Sequence, residues 1–131
     1  MAVGKCKTIL IVDDDPFILE AFHSFLKREG HQMIGARCVA EMIQQLFKER
    51  VDLVITEVEL LGLSATGLPR LVKQIDRELP VIVISDRTER ISTLPALRGK
   101  VDLFLNKPLD LRETRAAITR LLTAETEARQ E

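Results

Sequence analysis

Five short runs of aliphatic and β-branched residues are each followed by a longer segment, most of which place apolar residues three and four positions apart. Strands that alternate with helices in this way lie parallel and are joined by right-handed crossovers, so the expected class is α/β with an open, doubly wound sheet. The strand candidates are Thr8–Val12, Gln32–Ala36, 52–56, Val81–Ser85 and 101–105. The first and fourth are apolar throughout, as central strands covered on both faces would be. Phe17, Ile18, Ala21, Phe22, Phe25 and Leu26 make one helical stripe, and Met42, Ile43, Leu46 and Phe47 a second. Leu68, Leu71, Val72, Ile75 and Leu79 make a third, and Leu111, Ile118, Leu121 and Leu122 mark the last helix. All are expected to face the sheet. Asp15 before Pro16 reads as an N-cap with proline in the first helical position, and Gly30 stands just past the end of that helix. Pro95 interrupts the fourth helical segment, 90–98, which is therefore expected to be short or irregular.

A length of 131 residues fits one domain, divided as an extension (1–6), a folded unit (7–122) and a polar segment (123–131) able to continue the last helix. With five Phe and neither Tyr nor Trp, aliphatic side chains must fill the core. The 19 basic and 20 acidic residues leave a net charge of −1, too little to hold nucleic acid or an anionic membrane through a global field. No helix-turn-helix, basic recognition helix or glycine-rich nucleotide loop is visible, so direct nucleic-acid contact is not expected. The apolar runs fall far short of the roughly 20 residues of a membrane span, and the one behind Lys5 and Lys7 ends at Asp13, unlike a signal peptide. The expected location is the cytoplasm. Cys6 and Cys38 lack metal-ligand spacing and read as reduced, semi-buried thiols; His23 and His31 receive no role.

Open sheets of this kind carry their sites outside the carboxyl ends of the strands. There the chain places Asp13 and Asp14 after the first strand, Glu57 after the third, Ser85 at the end of the fourth, and Lys107 with Pro108 after the fifth. Taken singly, each is an ordinary cap or solvated loop residue, and Asp15 is first of all a helix cap. Together they gather three carboxylates at one edge, where two like charges about 4 Å apart repel by roughly 4 kcal/mol at an effective dielectric near 20. Such a cluster calls for a cation, and an oxygen-rich, hydrated site suits Mg²⁺. Lys107 adds a mobile point charge and Ser85 a hydroxyl, the groups that hold a phosphoryl oxygen or a carboxylate above the metal.

The segments from Ile9 to Pro16 (ILIVDDDP), Asp52 to Glu57 (DLVITE), Val81 to Ser85 (VIVIS) and Phe104 to Pro108 (FLNKP) resemble the receiver domain of two-component response regulators. The likeness spans residues 7 to about 122 and rests on four motifs in order, each on its own strand. It implies a flavodoxin-like fold with strand order 2-1-3-4-5 and five helices, in a phosphorelay signalling module that is not an enzyme. By this resemblance Asp13 and Asp14 hold the metal, with Glu57 and the backbone carbonyl of Glu59. Ser85 is then the switch hydroxyl, Lys107 the phosphoryl-sensing lysine, and Pro108 follows a cis peptide bond. Phe104 takes the place of an aromatic that reorients on activation, or is simply a packed strand residue. The implied partners are proteins, a histidine kinase or an output domain, meeting the face of the fourth helical segment, fifth strand and last helix; homodimerisation is left open.

The pattern breaks at Glu57, where the family carries the phosphoacceptor aspartate. One added methylene moves the carboxylate by roughly 1.5 Å, a misplacement that costs about a hundredfold in an in-line transfer. The expectation is a pseudo-receiver that works without phosphorylation, in which Glu57 pairs with Lys107 and Ser85. Whether this mimics the active state or is inert stays open. Leu61 replaces a usual proline, and two residues are inserted within 62–67, so the loop after the third strand is expected to be atypical. A phosphorylatable receiver using a neighbouring carboxylate is the alternative within the family. Outside it stands a Mg²⁺-dependent phosphohydrolase of the haloacid dehalogenase type, suggested by Asp13-Asp14-Asp15 but opposed by Phe17 and by the lack of a late acidic pair.

Overall fold

The computed structural model of the chain describes residues 6–57, 67–86 and 94–130, with residues 125–130 described through their backbone alone. Strands β1 (Thr8–Val12), β2 (Gln32–Ala36), β3 (Leu53–Glu57), β4 (Val81–Ser85) and β5 (Leu103–Asn106) form one parallel sheet in the order β2-β1-β3-β4-β5. Helices α1 (Pro16–Arg28) and α4 (Leu111–Gln130) cover one face, and α2 (Val39–Lys48) and α3 (Gly67–Ile75) the other. This is the doubly wound, flavodoxin-like arrangement. The two faces differ in side-chain size. Ile9, Ile11, Leu53, Ile55, Ile82 and Ile84 meet α1 and α4, whereas the α2 and α3 side receives Val12, Val54, Val81 and Val83 together with Leu10.

The boundaries of α1 follow from its ends. Asp15 Oδ1 accepts the Phe17 N–H at 2.9 Å, while Pro16, which lacks an N–H, fills the first turn. At the other end Gly30, at φ +83°, lets its N–H reach Lys27 O and that of His31 reach Leu26 O, a Schellman closure. Asp110 begins α4 in the same manner, accepting the N–H groups of Arg112 (2.8 Å) and Glu113 (3.1 Å). Arg115 then fastens α4 to α1, with Nε 3.0 Å from Glu29 Oε1 and its guanidinium 5.9 Å from the Phe25 ring centre. The polar segment after 122 continues α4 to Gln130.

Several expectations are corrected. Four α-helices, not five, stand among the described residues, and a 3-10 turn at Pro95–Leu97 lies within the fourth helical segment. Proline removes the hydrogen bond that an α-helix running through position 95 would need, while Leu97 still drops into the core; residues 90–93 of that segment lie outside the described residues. Phe17, Ala21, Phe47 and Leu111 point outward rather than to the sheet, Phe17 being 79% and Phe47 75% exposed. Each sits at the margin of its helical stripe, where apolar character no longer coincides with the buried arc. Cys6 and Cys38 are free and exposed, not semi-buried, because each lies just outside the strand or helix beside it.

The third and fifth strands begin later than their apolar runs suggest. Asp52 uses its N–H on Thr8 O at 2.8 Å and its carboxylate on the Thr8 N–H at 2.9 Å. Asp102 repeats this on Val81, with 2.8 Å and 2.7 Å. Each aspartate therefore hooks the first residue of the neighbouring strand with its side chain, at the point where the ladder starts. The same triplet, Val-Asp-Leu, occurs at 51–53 and 101–103. Asp102 also receives Lys73 Nζ at 3.0 Å, and the Lys73 side chain is only 8% exposed. Asp52→Ala is expected to cost about 1–2 kcal/mol for the lost strand-end bond. Asp102→Ala is expected to cost more, about 2–4 kcal/mol, because it also strands a buried ammonium. Urea denaturation of the two variants checks the order, which reversal would refute.

Candidate functional site

Register brings the predicted residues together. Val12 is level with Thr56, Glu57 with Ile84, and Ser85 with Asn106, so the residues that follow or end these strands share one rim. Asp13, Asp14 and Glu57 each offer a carboxylate oxygen, and these atoms lie within 4.8 Å of one another. Asp13 is 2% exposed, Glu57 half-buried and Asp14 exposed. Asp13 is held by backbone on both sides: its N–H donates to Ala36 O at 3.0 Å and its Oδ1 accepts the Asp15 N–H at 2.9 Å. Thr56, fully buried, donates its hydroxyl to Glu57 O at 2.9 Å.

Lys107 closes the rim. Its N–H donates to Ser85 O at 3.0 Å, and the Lys107–Pro108 bond is cis. Its Nζ lies 2.9 Å from Glu57 Oε1. Glu57 thus turns into the cluster, and the lysine supplies the cluster with a positive charge. Ser85 is buried at the end of β4. Phe104 is partly buried and packs with the valine-rich core on the α2 and α3 side of the sheet. Glu59, Leu61 and the insertion within 62–67, up to residue 66, lie outside the described residues.

The electrostatics agree with the geometry. Burial raises the Asp13 carboxyl above its usual range, and the charges of Glu57 and Asp14 raise it further, against the opposing Asp15 N–H and Lys107. For Lys107, burial alone would lower the ammonium's pKa, but the hydrogen bond and charge of Glu57, with Asp13 and Asp86, outweigh it and hold it above the ordinary value. The donor set consists of hard, closely spaced oxygens, which fits a small divalent cation such as Mg²⁺. The buried Thr56 hydroxyl and the Lys73–Asp102 pair have no signature in the local sequence pattern; the repeated Val-Asp-Leu triplet marks only the two aspartates that hook their neighbouring strands.

An open parallel α/β sheet with acidic residues and a lysine at its carboxyl rim defines the class of the protein. The chain matches the response regulator receiver domain family over residues 9–119, and it belongs to that family. It is 30% identical over 102 residues to the transcriptional regulatory protein GlrR of Escherichia coli (strain K12), covering 78% of this chain and 23% of that protein. With the response regulator GtcR of Aneurinibacillus migulanus it shares 32% identity over 114 residues, 86% of this chain and 46% of that protein. The chain therefore spans no more than about half the length of the curated relatives it matches.

Among solved structures, the signal receiver domain of an HD domain-containing protein from Pseudomonas fluorescens Pf-5 superposes with a TM-score of 0.87 at 23% identity, covering 100% of this chain and 97% of that one. A two-component response regulator from Clostridium difficile gives 0.81 at 26% identity, over 89% and 96%. Among the described residues no helix is long and apolar enough to cross a membrane.

Asp13→Asn tests the charge balance. A folded-state pKa above the unfolded 3.8 means that the native protein holds this proton more tightly than the unfolded chain does. The cost of the charge is therefore absent well below pH 3.8 and grows as pH rises through the folded-state value. Asparagine keeps the acceptor for the Asp15 N–H. The variant is expected to melt higher than the wild type at pH 7, with the gain vanishing below about pH 4; thermal melts across that range check it.

Proposed function

We propose that this receiver domain signals without phosphorylation, with Glu57 as a permanent charge where its relatives install a removable one. The observation that carries the reading is the 2.9 Å pair between Lys107 Nζ and Glu57 Oε1. With that pair made, the lysine is engaged by a carboxylate of the chain itself. In-line phosphoryl transfer to Glu57 is opposed on two counts: its oxygen stands about 1.5 Å beyond that of an aspartate, and Lys107 occupies it. A carboxylate brings one negative charge where a phosphoryl group brings nearly two, so the imitation of a switched state is partial.

In this reading Asp13, Asp14 and Glu57, with the Glu59 carbonyl, hold Mg²⁺. When bound, the ion neutralises the acidic rim and orients anionic oxygens there. Ser85 and Lys107 steady the Glu57 end of the site, Pro108 follows the lysine at the rim, and Phe104 reports on it from the next strand. The folded unit of 7–122 acts through a protein partner, a kinase or an output domain, on the surface of the 95–97 turn, β5 and α4. Kinship with transcriptional regulators supports an output of that kind. The module turns over no substrate of its own.

Intact mass after incubation with Mg²⁺ and acetyl phosphate tests the reading. The wild type is expected to stay unmodified and Glu57→Asp to gain the mass of one phosphoryl group. A wild-type adduct that disappears in Glu57→Gln would falsify the proposal.

A further inference from the structure

On the α2 and α3 side of the sheet, Arg70, Lys73, Gln74, Arg77 and Lys100 line an open groove of about 560 Å³. Arg70, Lys73 and Gln74 come from α3, Arg77 from the turn just after it, and Lys100 from the turn before β5. The geometry points to a docking site for a carboxylate-rich segment of a partner protein, taken up between α3 and the 99–100 turn.

Three observations carry this. First, the groove is overloaded with positive charge. Lys73 is matched by Asp102, but among the described residues the side chains of Arg70, Arg77 and Lys100 make no hydrogen bond or ion pair. Second, its walls are held in place before any ligand arrives. Lys73, 8% exposed, donates to Leu79 O at 2.7 Å and to Asp102 Oδ2 at 3.0 Å, tying α3 to the start of β5. On the opposite wall Gly99, at φ +77°, turns the chain so that the Lys100 N–H reaches Leu97 O at 2.9 Å. A fixed frame reduces the entropy lost on binding. Third, Arg70 and Gln74 stand one helical turn apart on α3, and Arg77 follows in the turn just past its end, so an acidic segment laid along α3 meets a cation and an amide before a second cation at the helix end.

A nucleic-acid backbone fits less well. Three uncompensated cations neutralise only about three phosphates, a weak footing at physiological salt. Asp76 and Glu78 flank Arg77 and repel a continuous polyanion, whereas a short acidic segment can end on Arg77 with a single carboxylate. The inference does not depend on the reading of Glu57.

The test is fluorescence anisotropy of the whole chain with a labelled alanine-based helical peptide that carries glutamates one turn apart. Its glutamine counterpart and a short DNA duplex serve as the other arms. The variant is Arg70→Gln/Arg77→Gln/Lys100→Gln, which leaves the Lys73–Asp102 pair intact, and its melting temperature verifies folding. The glutamate peptide is expected to bind, to weaken about tenfold or more in the variant and to weaken in high salt; the glutamine peptide is expected not to bind. No binding of the glutamate peptide, binding unchanged by the three replacements, or tighter binding of the duplex through the same residues would each overturn the proposal. If the replacements unfold the chain, Arg70→Gln alone against amide shift mapping of the wild type decides, and shifts outside 70–77 and 98–101 count against it.

Discussion

A parallel sheet buried on both faces imposes the constraint from which the rest follows. Its strands all run one way, so every carboxyl end reaches the same rim, and its helices must cover both sides. Within such a sheet a slip of one residue would exchange the two faces of a strand. Here the alternation of Ile9 and Ile11 with Leu10 and Val12, and of Ile82 and Ile84 with Val81 and Val83, holds each strand to one register. The register then fixes Asp13 beside Glu57 and brings Lys107 to Ser85. The chemistry of the site is a by-product of apolar packing several residues away.

At that rim the chain must live with its own repulsion. Three carboxylates meet, one of them buried, and the Asp15 N–H faces the buried one. Lys107 is the internal answer, since its tether after β5 reaches Glu57 across β4. The glutamate arm and the lysine meet directly, at 2.9 Å, so one of the three carboxylates has a cationic partner within the polypeptide.

The far side of the molecule has another electrostatic character. Buried Lys73, clasped by Asp102, sits beneath exposed arginines whose charges are unmatched among the described residues. Pro95 shapes this side as well, because the 3-10 turn it begins leads directly into the Gly99 bend. Acidic rim and basic groove thus lie on different elements, although the whole chain is almost neutral.

Much of this was legible in the residues themselves. The order of strands and helices, the Asp15 cap with Pro16, the Gly30 stop and the break at Pro95 are local matters, decided by backbone sterics and by groups within a few positions. The acidic pair, Glu57, Ser85 and Lys107 could be assigned to one edge because strand ends are visible as the ends of apolar runs. The outward turn of Phe17 and Phe47 was not legible, since hydrophobicity alone does not say where on a helix the buried arc ends. Nor were the hooks of Asp52 and Asp102, whose partners lie 44 and 21 positions away. The pairing of Lys107 with Glu57 was proposed from the sequence, but its geometry, like the grouping of Arg70, Arg77 and Lys100, was set only by the fold. Pattern determines local structure because it acts through neighbours in the chain; contacts between distant charges need the packed sheet to bring them within reach.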